Sequence, residues 1–238
     1  MMLNITHASK DITKTQLEYC FTEETNELCS YFLKAVKIEV IAKNLEFYVS
    51  QLSNRENELF SSYRNQKRKM EWLAGRIALK ALLKEKFSTN NEAVEILKNP
   101  LGAPYINNND KIWISISHSH NMAIVAAALY PIGIDVEYLE SQPRLSHQLF
   151  FNSEETAFFD TLKDDQKKFS IIKSWTFKEA VSKVLGLGGK MNFKHIFSLK
   201  GQYTDPVSHL HISSKTIIKY GYLITIAFAF ETSGQIGV

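Results

Sequence analysis

Three short β-type runs stand back to back in the middle of the chain: Ile112-Trp113-Ile114-Ser115-Ile116, then Ala123 to Leu129, then Gly133 to Glu137. Only Ser-His-Ser-His-Asn and Tyr130-Pro131 separate them, so they are expected as neighbouring strands. Long helical patterns flank this block. Glu56 to Lys86 carries Met70, Leu73, Ala74, Ile77, Ala78, Ala81 and Leu82 at spacings of three and four, the stripe of a helix packed on a core. Beyond the block, Ser153 reads as an N-cap for a helix to about Leu162, and a longer helix is expected from about Gln166 to Leu185, ended by Gly186, Gly188 and Gly189.

Between these landmarks the pattern is sparser. Lys37 to Val40 and Leu45 to Val49 read as short strands, and Asn99-Pro100-Leu101-Gly102-Ala103-Pro104 as a turn-rich break. His209 to Ile212, Ile217 to Tyr220 and the apolar run Tyr222 to Phe230 read as strands of the tail. Strands and helices interleave without a strict βαβ rhythm, which makes α+β the expected fold class. No short repeat or low-complexity tract is visible.

A chain of 238 residues can form one large domain or two compact halves. A hydrophobic fraction of 45% and a charged fraction of 22% are those of a globular protein, and a net charge of +3 is too small to argue for nucleic acid. Two cysteines, Cys20 and Cys29, form neither a CxxC pair nor a histidine-associated cluster, so a reducing cytoplasm is expected. Met1 to Lys14 lacks the pattern of a secretion leader, and the longest apolar run, Met122 to Tyr130, falls far short of the roughly 20 residues that span a bilayer.

Chemistry concentrates in two segments. Gly133-Ile134-Asp135-Val136-Glu137 alternates as a strand does, placing Asp135 and Glu137 on one face. Residues two apart on a strand lie roughly 6.5–7 Å apart, whereas oxygens around one Mg²⁺ lie at most about 4.2 Å apart. The two side chains must converge, or one must act through water. Taken alone, such a pair more often faces solvent. In Trp175-Thr176-Phe177-Lys178-Glu179-Ala180-Val181-Ser182-Lys183, helical periodicity puts Phe177, Ala180, Val181 and Val184 on one face and Lys178, Glu179, Ser182 and Lys183 on the other. Glu179 and Lys183 are i,i+4 neighbours, equally consistent with an exposed ion pair.

Together these segments resemble the two-part signature of the 4′-phosphopantetheinyl transferases, surfactin-synthetase-activating type: approximately (I/V)-G-(I/V)-D, then (W/F)-(S/C/T)-x-K-E-(A/S)-x-x-K. Glu71-Trp72-Leu73-Ala74-Gly75-Arg76, Gly102-Ala103-Pro104-Tyr105 and Ile116-Ser117-His118-Ser119 are similar to three further family regions, in family order, so the resemblance runs from about Leu52 to Leu199. His120 and Asn121 depart from the smaller residues of many relatives.

The resemblance implies a pseudo-twofold pair of similar α+β halves in one chain, residues 1–131 on the nucleotide side of a coenzyme A cleft and 132–238 carrying a metal-binding strand and a catalytic helix. It implies Mg²⁺, with Mn²⁺ as substitute, on Asp135, Glu137 and Glu179. Asp135, Glu179 and Lys183 would be catalytic, with Glu179 taking the proton of a carrier serine. Coenzyme A contacts are implied at Arg68, Arg76, Gly102, Pro104, Ser117, His118, Lys178 and Lys183, arginine suiting phosphate through its planar fork. The implied partner is an acyl or peptidyl carrier protein, with no nucleic acid or membrane involved, and the implied state is a cytoplasmic monomer.

Two other classes fit the sequence less well. A metal nuclease of the Asp…Glu-x-Lys kind needs a lysine two residues after the strand glutamate, but Tyr138 and Leu139 follow Glu137. A non-catalytic binder of coenzyme A or of a carrier domain would have no need of Asp135, Glu179 and Lys183 together.

Overall fold

The structure, a computed structural model, describes residues 30–89, 94–141 and 147–230. Cys20, Cys29 and Met1–Lys14 lie outside the described residues. The first strand, β1, runs Tyr31–Lys37, and the two segments expected as strands after it are helical instead: α1 (Ile38–Lys43) and α2 (Leu45–Val49). Ile38 and Ile41 are buried one helical turn apart, and Glu39 and Lys43 sit at the ends where they complement the helix dipole. Local β-propensity of Ile and Val lost to this arrangement.

The single helix expected over 56–86 is two. α3 (Asn54–Ser62) begins at Ser53, which forms a capping box with Glu56, and α4 (Gln66–Phe87) begins at Asn65, whose side chain accepts from the Arg68 N–H. The Asn99–Ala103 break closes a hairpin of β2 (Ile96–Lys98) and β3 (Pro104–Ile106), with Asn99 Oδ1 accepting from the N–H groups of Leu101 and Ala103. The central block forms β4 (Trp113–Ser119), β5 (Met122–Ala128) and β6 (Ile132–Tyr138).

After α5 (His147–Phe150), α6 (Ser153–Asp160) is capped by Asn152 rather than Ser153, because Asn152 and Glu155 make the reciprocal pair of hydrogen bonds. The long helix, α7, spans Asp164–Val184. Three 3₁₀ turns lead to β7 (Gln202–Thr204), β8 (His211–Lys219) and β9 (Tyr222–Phe230). The two strands expected in 209–220 are one, since the polar Ser213–Thr216 stretch continues its pairing with β9.

Strand order is β1-β5-β4 in one sheet and β6-β9-β8-β7 in the other, all antiparallel. The sheets face each other over Tyr31, Leu33, Ile124, Ala126, Ile134, Val136, Ile224 and Ile226. α4 covers the outer face of the first sheet through Leu73, Ile77, Val36, Ala123 and Val125, and α7 that of the second through Phe177, Ala180, Val181 and Ala227. Both faces of β5 are thus buried, which is why its sequence is apolar without alternation.

The second half repeats the first in order and pairing. β1, α3, α4, β4 and β5 are followed by β6, α6, α7, β8 and β9, and β5 lies between β1 and β4 as β9 lies between β6 and β8. The β4–β5 and β8–β9 hairpins both turn on two residues, with positive φ at His120 and at Tyr220 and Gly221. The repeat also shows in buried chemistry. Glu56, third in α3, pairs with Lys80 of α4 at 2.6 Å and accepts from the Ile96 N–H. Glu155, third in α6, pairs with Lys178 of α7 at 2.7 Å and accepts from the Ser198 N–H. The fold is α+β with pseudo-twofold halves.

Candidate active site

The site forms where β6, the edge of the second sheet, meets α7 on one side and β4, the edge of the first sheet, on the other. Gly133 makes the helix approach achievable: a Cβ there would lie 2.0 Å from the Ala180 carbonyl oxygen and 2.9 Å from the Val184 nitrogen. With α7 seated so close, Lys183 Nζ donates to Asp135 Oδ1 at 2.7 Å and to the Ile134 carbonyl at 2.9 Å. Glycine in the motif is therefore a packing requirement. Gly75 does the same for α4, where a Cβ would meet Ile116 Cγ2 at 2.7 Å.

Asp135 is 6% exposed. Its Oδ1 also accepts from Ser117 Oγ at 2.7 Å, while Oδ2 is buried with no hydrogen-bond partner among the described residues. Glu137 Oε2 accepts from Ser119 Oγ at 2.8 Å. Burial, and after it the Asp135 charge, raises the Glu137 carboxyl above its ordinary range against the pull of Ser119, Trp175 and Lys183. Glu179 is pushed up to about 7, first by burial and then by Asp135 and Glu137, with Lys183 opposing. Three carboxylates thus share a partly dry site with one ammonium, and a further cation would relieve all three.

The donor set suits a hard divalent cation in its chemistry: carboxylate oxygens, one of them buried and unpartnered. No group of three His, Cys, Asp or Glu side chains among the described residues is arranged to hold an ion as it stands. Asp135 Oδ1 accepts from Ser117 and Lys183, and Glu137 Oε2 accepts from Ser119.

On the first-half side lies a positive group. Arg76 is only 2% exposed, its guanidinium sits 4.8 Å from the Trp72 ring, and its Nε and Nη2 find no partner among the described residues. Burial lowers its pKa to about 10, opposed by Glu56 and Tyr63. Lys98, exposed at the end of β2, has its pKa lowered by burial of its ammonium and then by Arg76 and Arg68, which places the three cations together. His118 Nδ1 is 3.7 Å from Glu71 Oε2. Burial lowers its pKa, and its charged neighbours are Glu71, Lys183, Asp135 and Arg68, so it stands between the carboxylates and the arginines. Gly102, at φ +90°, and Pro104, paired with Lys98, border the same hairpin. Gly188, beyond α7, comes close to it, since a Cβ there would lie 3.5 Å from the Leu101 carbonyl oxygen.

Of the residues expected from sequence, Asp135, Glu137, Glu179, Lys183, Ser117 and His118 come together, with Arg68 near His118 and Arg76 buried farther into the first half against Trp72. Lys178 is not placed with them: it is fully buried, and its ammonium donates to Glu155 at 2.7 Å and to the Phe193 carbonyl at 2.8 Å, away from the carboxylates. It joins α7 to α6 and to the loop that follows α7. Sequence reasoning missed Lys98, because the β2 strand carrying it was not foreseen, and Glu71. It also missed Ser115 and Ser119, although Ser-x-Ser-x-Ser is a period-two pattern that a strand places on one side.

An α+β pseudodimer with acidic residues on an edge strand, a Lys-Glu helix packed on a strand glycine, and a cation group across the cleft defines a phosphate-handling enzyme class. A family model described as the 4′-phosphopantetheinyl transferase superfamily matches residues 131–220, and one described as the 4′-phosphopantetheinyl transferase N-terminal domain matches residues 56–128. The chain belongs to the 4′-phosphopantetheinyl transferase superfamily. It is 27% identical over 142 residues to the 4′-phosphopantetheinyl transferase gsp of Aneurinibacillus migulanus, a match covering 60% of this chain and 59% of that one. It is 33% identical over 98 residues to the holo-[acyl-carrier-protein] synthase of Enterococcus faecalis, covering 38% of this chain and 83% of that one. A solved holo-(acyl-carrier-protein) synthase from Bacillus anthracis, in complex with CoA (3′,5′-ADP), is similar at 20% identity over 41% of this chain and 91% of that one, with a TM-score of 0.37, too loose a likeness to argue from. The chain spans less than two thirds of the length of the gsp transferase. No helix among the described residues is long and apolar enough to cross a membrane.

Proposed function

We propose that this protein transfers the 4′-phosphopantetheine group of coenzyme A to a serine of an apo acyl or peptidyl carrier protein, with Mg²⁺ or Mn²⁺, releasing 3′,5′-adenosine bisphosphate. The observation that carries the reading is the meeting of Asp135 and Glu137 on β6 with Glu179 and Lys183 on α7, with Asp135 Oδ2 buried and unpartnered among the described residues. Membership of the family supplies the substrates.

In the reaction the serine Oγ–P bond forms, the P–O bond to adenosine bisphosphate breaks, and the serine proton leaves. Glu179 receives that proton, standing on α7 beside Lys183 and facing Asp135 and Glu137. Asp135, Glu137 and Glu179 would hold the divalent cation, which supplies charge neutralisation at the pyrophosphate. Lys183, steadied by Asp135 and the Ile134 carbonyl, offers its ammonium to charge developing on the phosphoryl oxygens. Arg76, Arg68, Lys98 and His118 bind the phosphates, and Ser117, Gly102 and Pro104 border the nucleotide. Residues 1–131 supply the nucleotide side and 132–238 the metal side, so a cytoplasmic monomer suffices.

The test is to incubate the protein with coenzyme A, Mg²⁺ and several apo carrier proteins and to weigh the carriers by mass spectrometry. A carrier should gain one phosphopantetheine, and the gain should vanish with EDTA and in Asp135→Ala and Glu179→Gln. No gain on any carrier, or fully active variants, overturns the reading.

A further inference from the structure

β4 and β6 are edge strands of different sheets, yet they lie side by side without a main-chain ladder between them. Antiparallel pairing with β9 uses every second N–H of β6 and leaves those of Ile134, Val136 and Tyr138 directed at β4. Three serines meet them. Ser115 Oγ accepts from the Ile134 N–H at 3.0 Å, Ser117 Oγ from the Val136 N–H at 3.3 Å, and Ser119 Oγ from the Tyr138 N–H at 3.1 Å. Alternation along β4 puts all three hydroxyls on one side, so side chains replace the missing ladder rung by rung.

The rungs differ in what they do with their protons. A hydroxyl that accepts from an N–H must spend its own hydrogen elsewhere. Ser117 gives its proton to Asp135 Oδ1 at 2.7 Å, and Ser119 gives its proton to Glu137 Oε2 at 2.8 Å. Each of these serines therefore grips the backbone and a carboxylate of the same strand at once. Ser115 makes only the backbone contact among the hydrogen bonds of this ladder.

The repeated half shows what stands where no such seam is formed. β8 is the counterpart of β4, and hairpin alignment places Lys215, Ile217 and Lys219 where β4 carries Ser115, Ser117 and Ser119. β8 faces no such strand, since its free side pairs with β7 and not with β1, so the seam and the serines go together. They occur only where the facing strand carries Asp135 and Glu137.

We propose that Ser119 is a positioning residue that holds Glu137 for metal ligation, and that the serine ladder makes the carboxylate strand of one half take its position from the nucleotide-side strand of the other. The proposal rests on the reading of Asp135, Glu137 and Glu179 as cation ligands. Support of ligating groups by hydrogen-bonded neighbours is worth about 10–100-fold in metal affinity, and Ser119 is placed to give such support.

The experiment measures Mn²⁺ binding to the full chain, by electron paramagnetic resonance of free Mn²⁺, in wild type and in S115A, S119T and S119V, together with amide exchange at Ile134 and Tyr138. Thr keeps the hydroxyl and Val keeps its shape without it. S119V should bind Mn²⁺ about 10-fold or more weakly and lose protection at Tyr138, and S119T should restore both. S115A should lose protection at Ile134 and bind Mn²⁺ as wild type does. S119V equal to wild type, or S115A weakened as much as S119V, overturns the positioning role. Wild type taking up no Mn²⁺ overturns the metal reading itself, a result distinct from either.

Discussion

Glu179 is half-buried beside two other carboxylates, and that company decides how it answers to pH. Its folded pKa is pushed up to about 7 from an ordinary 4.5. The folded protein therefore holds a proton that the unfolded chain gives up, and the stability this represents is fully present below 4.5 and lost as pH rises through about 7. Glutamine mimics the protonated group. In EDTA, Glu179→Gln should match wild type in acid and exceed it by about 1–2 kcal/mol at pH 8, after allowance for partial exposure, as read by urea denaturation across pH. A constant difference at all pH values would remove the carboxylate crowding from the account. Lys98 is the residue-scale test on the other side of the cleft, because it is exposed and its removal spares the core. Lys98→Ala should weaken coenzyme A binding by roughly 10-fold, the low end of the about 1.5–3 kcal/mol that a charged hydrogen bond is worth, because the side chain is exposed, and calorimetry in rising salt should shrink the difference. At this scale the sequence carried much of the site: the strand and helix periods alone put Asp135 with Glu137 and Glu179 with Lys183. Lys178 shows the limit. Helical angle placed it with Glu179, but only the fold reveals that Glu155 comes to meet it.

At the scale of elements, the contact between α7 and β6 depends on the absence of a side chain. Gly133→Ala would drive a methyl to 2.0 Å from a carbonyl oxygen in a helix that cannot yield without moving Lys183. Overpacking of this kind costs typically 1–3 kcal/mol and occasionally more, so about 3 kcal/mol or more is expected here. Gly75→Ala should cost less, since it meets only the tip of Ile116. Gly102→Ala, with open space around it but φ +90°, should cost about 1 kcal/mol from backbone strain alone. The order Gly133, Gly75, Gly102 in urea midpoints checks the packing account, and Gly133→Ala of wild-type stability would end it. The long helices were legible because each presents an apolar stripe over many turns. Boundaries set by capping chemistry were less so: Ser53 with Glu56 and Asn152 with Glu155 were both readable as boxes, yet one was absorbed into a longer helix and the other displaced by one residue. α1 and α2 were misread because Ile and Val favour strands locally while burial of Ile38 and Ile41 one turn apart favours a helix.

For the molecule as a whole, the repeat between halves was invisible in sequence because the halves keep contacts and exchange residues. Alignment through the hairpins and strand registers sets Lys34 of β1 opposite Asp135 of β6, and alignment through the buried Glu–Lys pairs sets Glu85 of α4 opposite Lys183 of α7. Lys34 and Glu85 are 2.7 Å apart, as are Asp135 and Lys183, with the charges exchanged. In each half the pair pins the long helix to the first strand. In the second half alone, the acidic member lies on the strand beside a further carboxylate and a free oxygen. The pin is thus common to both halves, and the further carboxylates are confined to the second. Lys34 is 7% exposed and Glu85 47%, so a single reversal leaves a nearly buried carboxylate facing another. Lys34→Glu should destabilise the protein by about 3 kcal/mol, and adding Glu85→Lys should recover about 1–2 kcal/mol of that. Where the double variant folds, phosphopantetheine transfer should proceed at the wild-type rate, because this pair holds the helix and touches nothing in the cleft. Absence of any recovery in the double-mutant cycle would show that the two pins are not equivalent, and with it the argument that one half is a charge-exchanged copy of the other would fall.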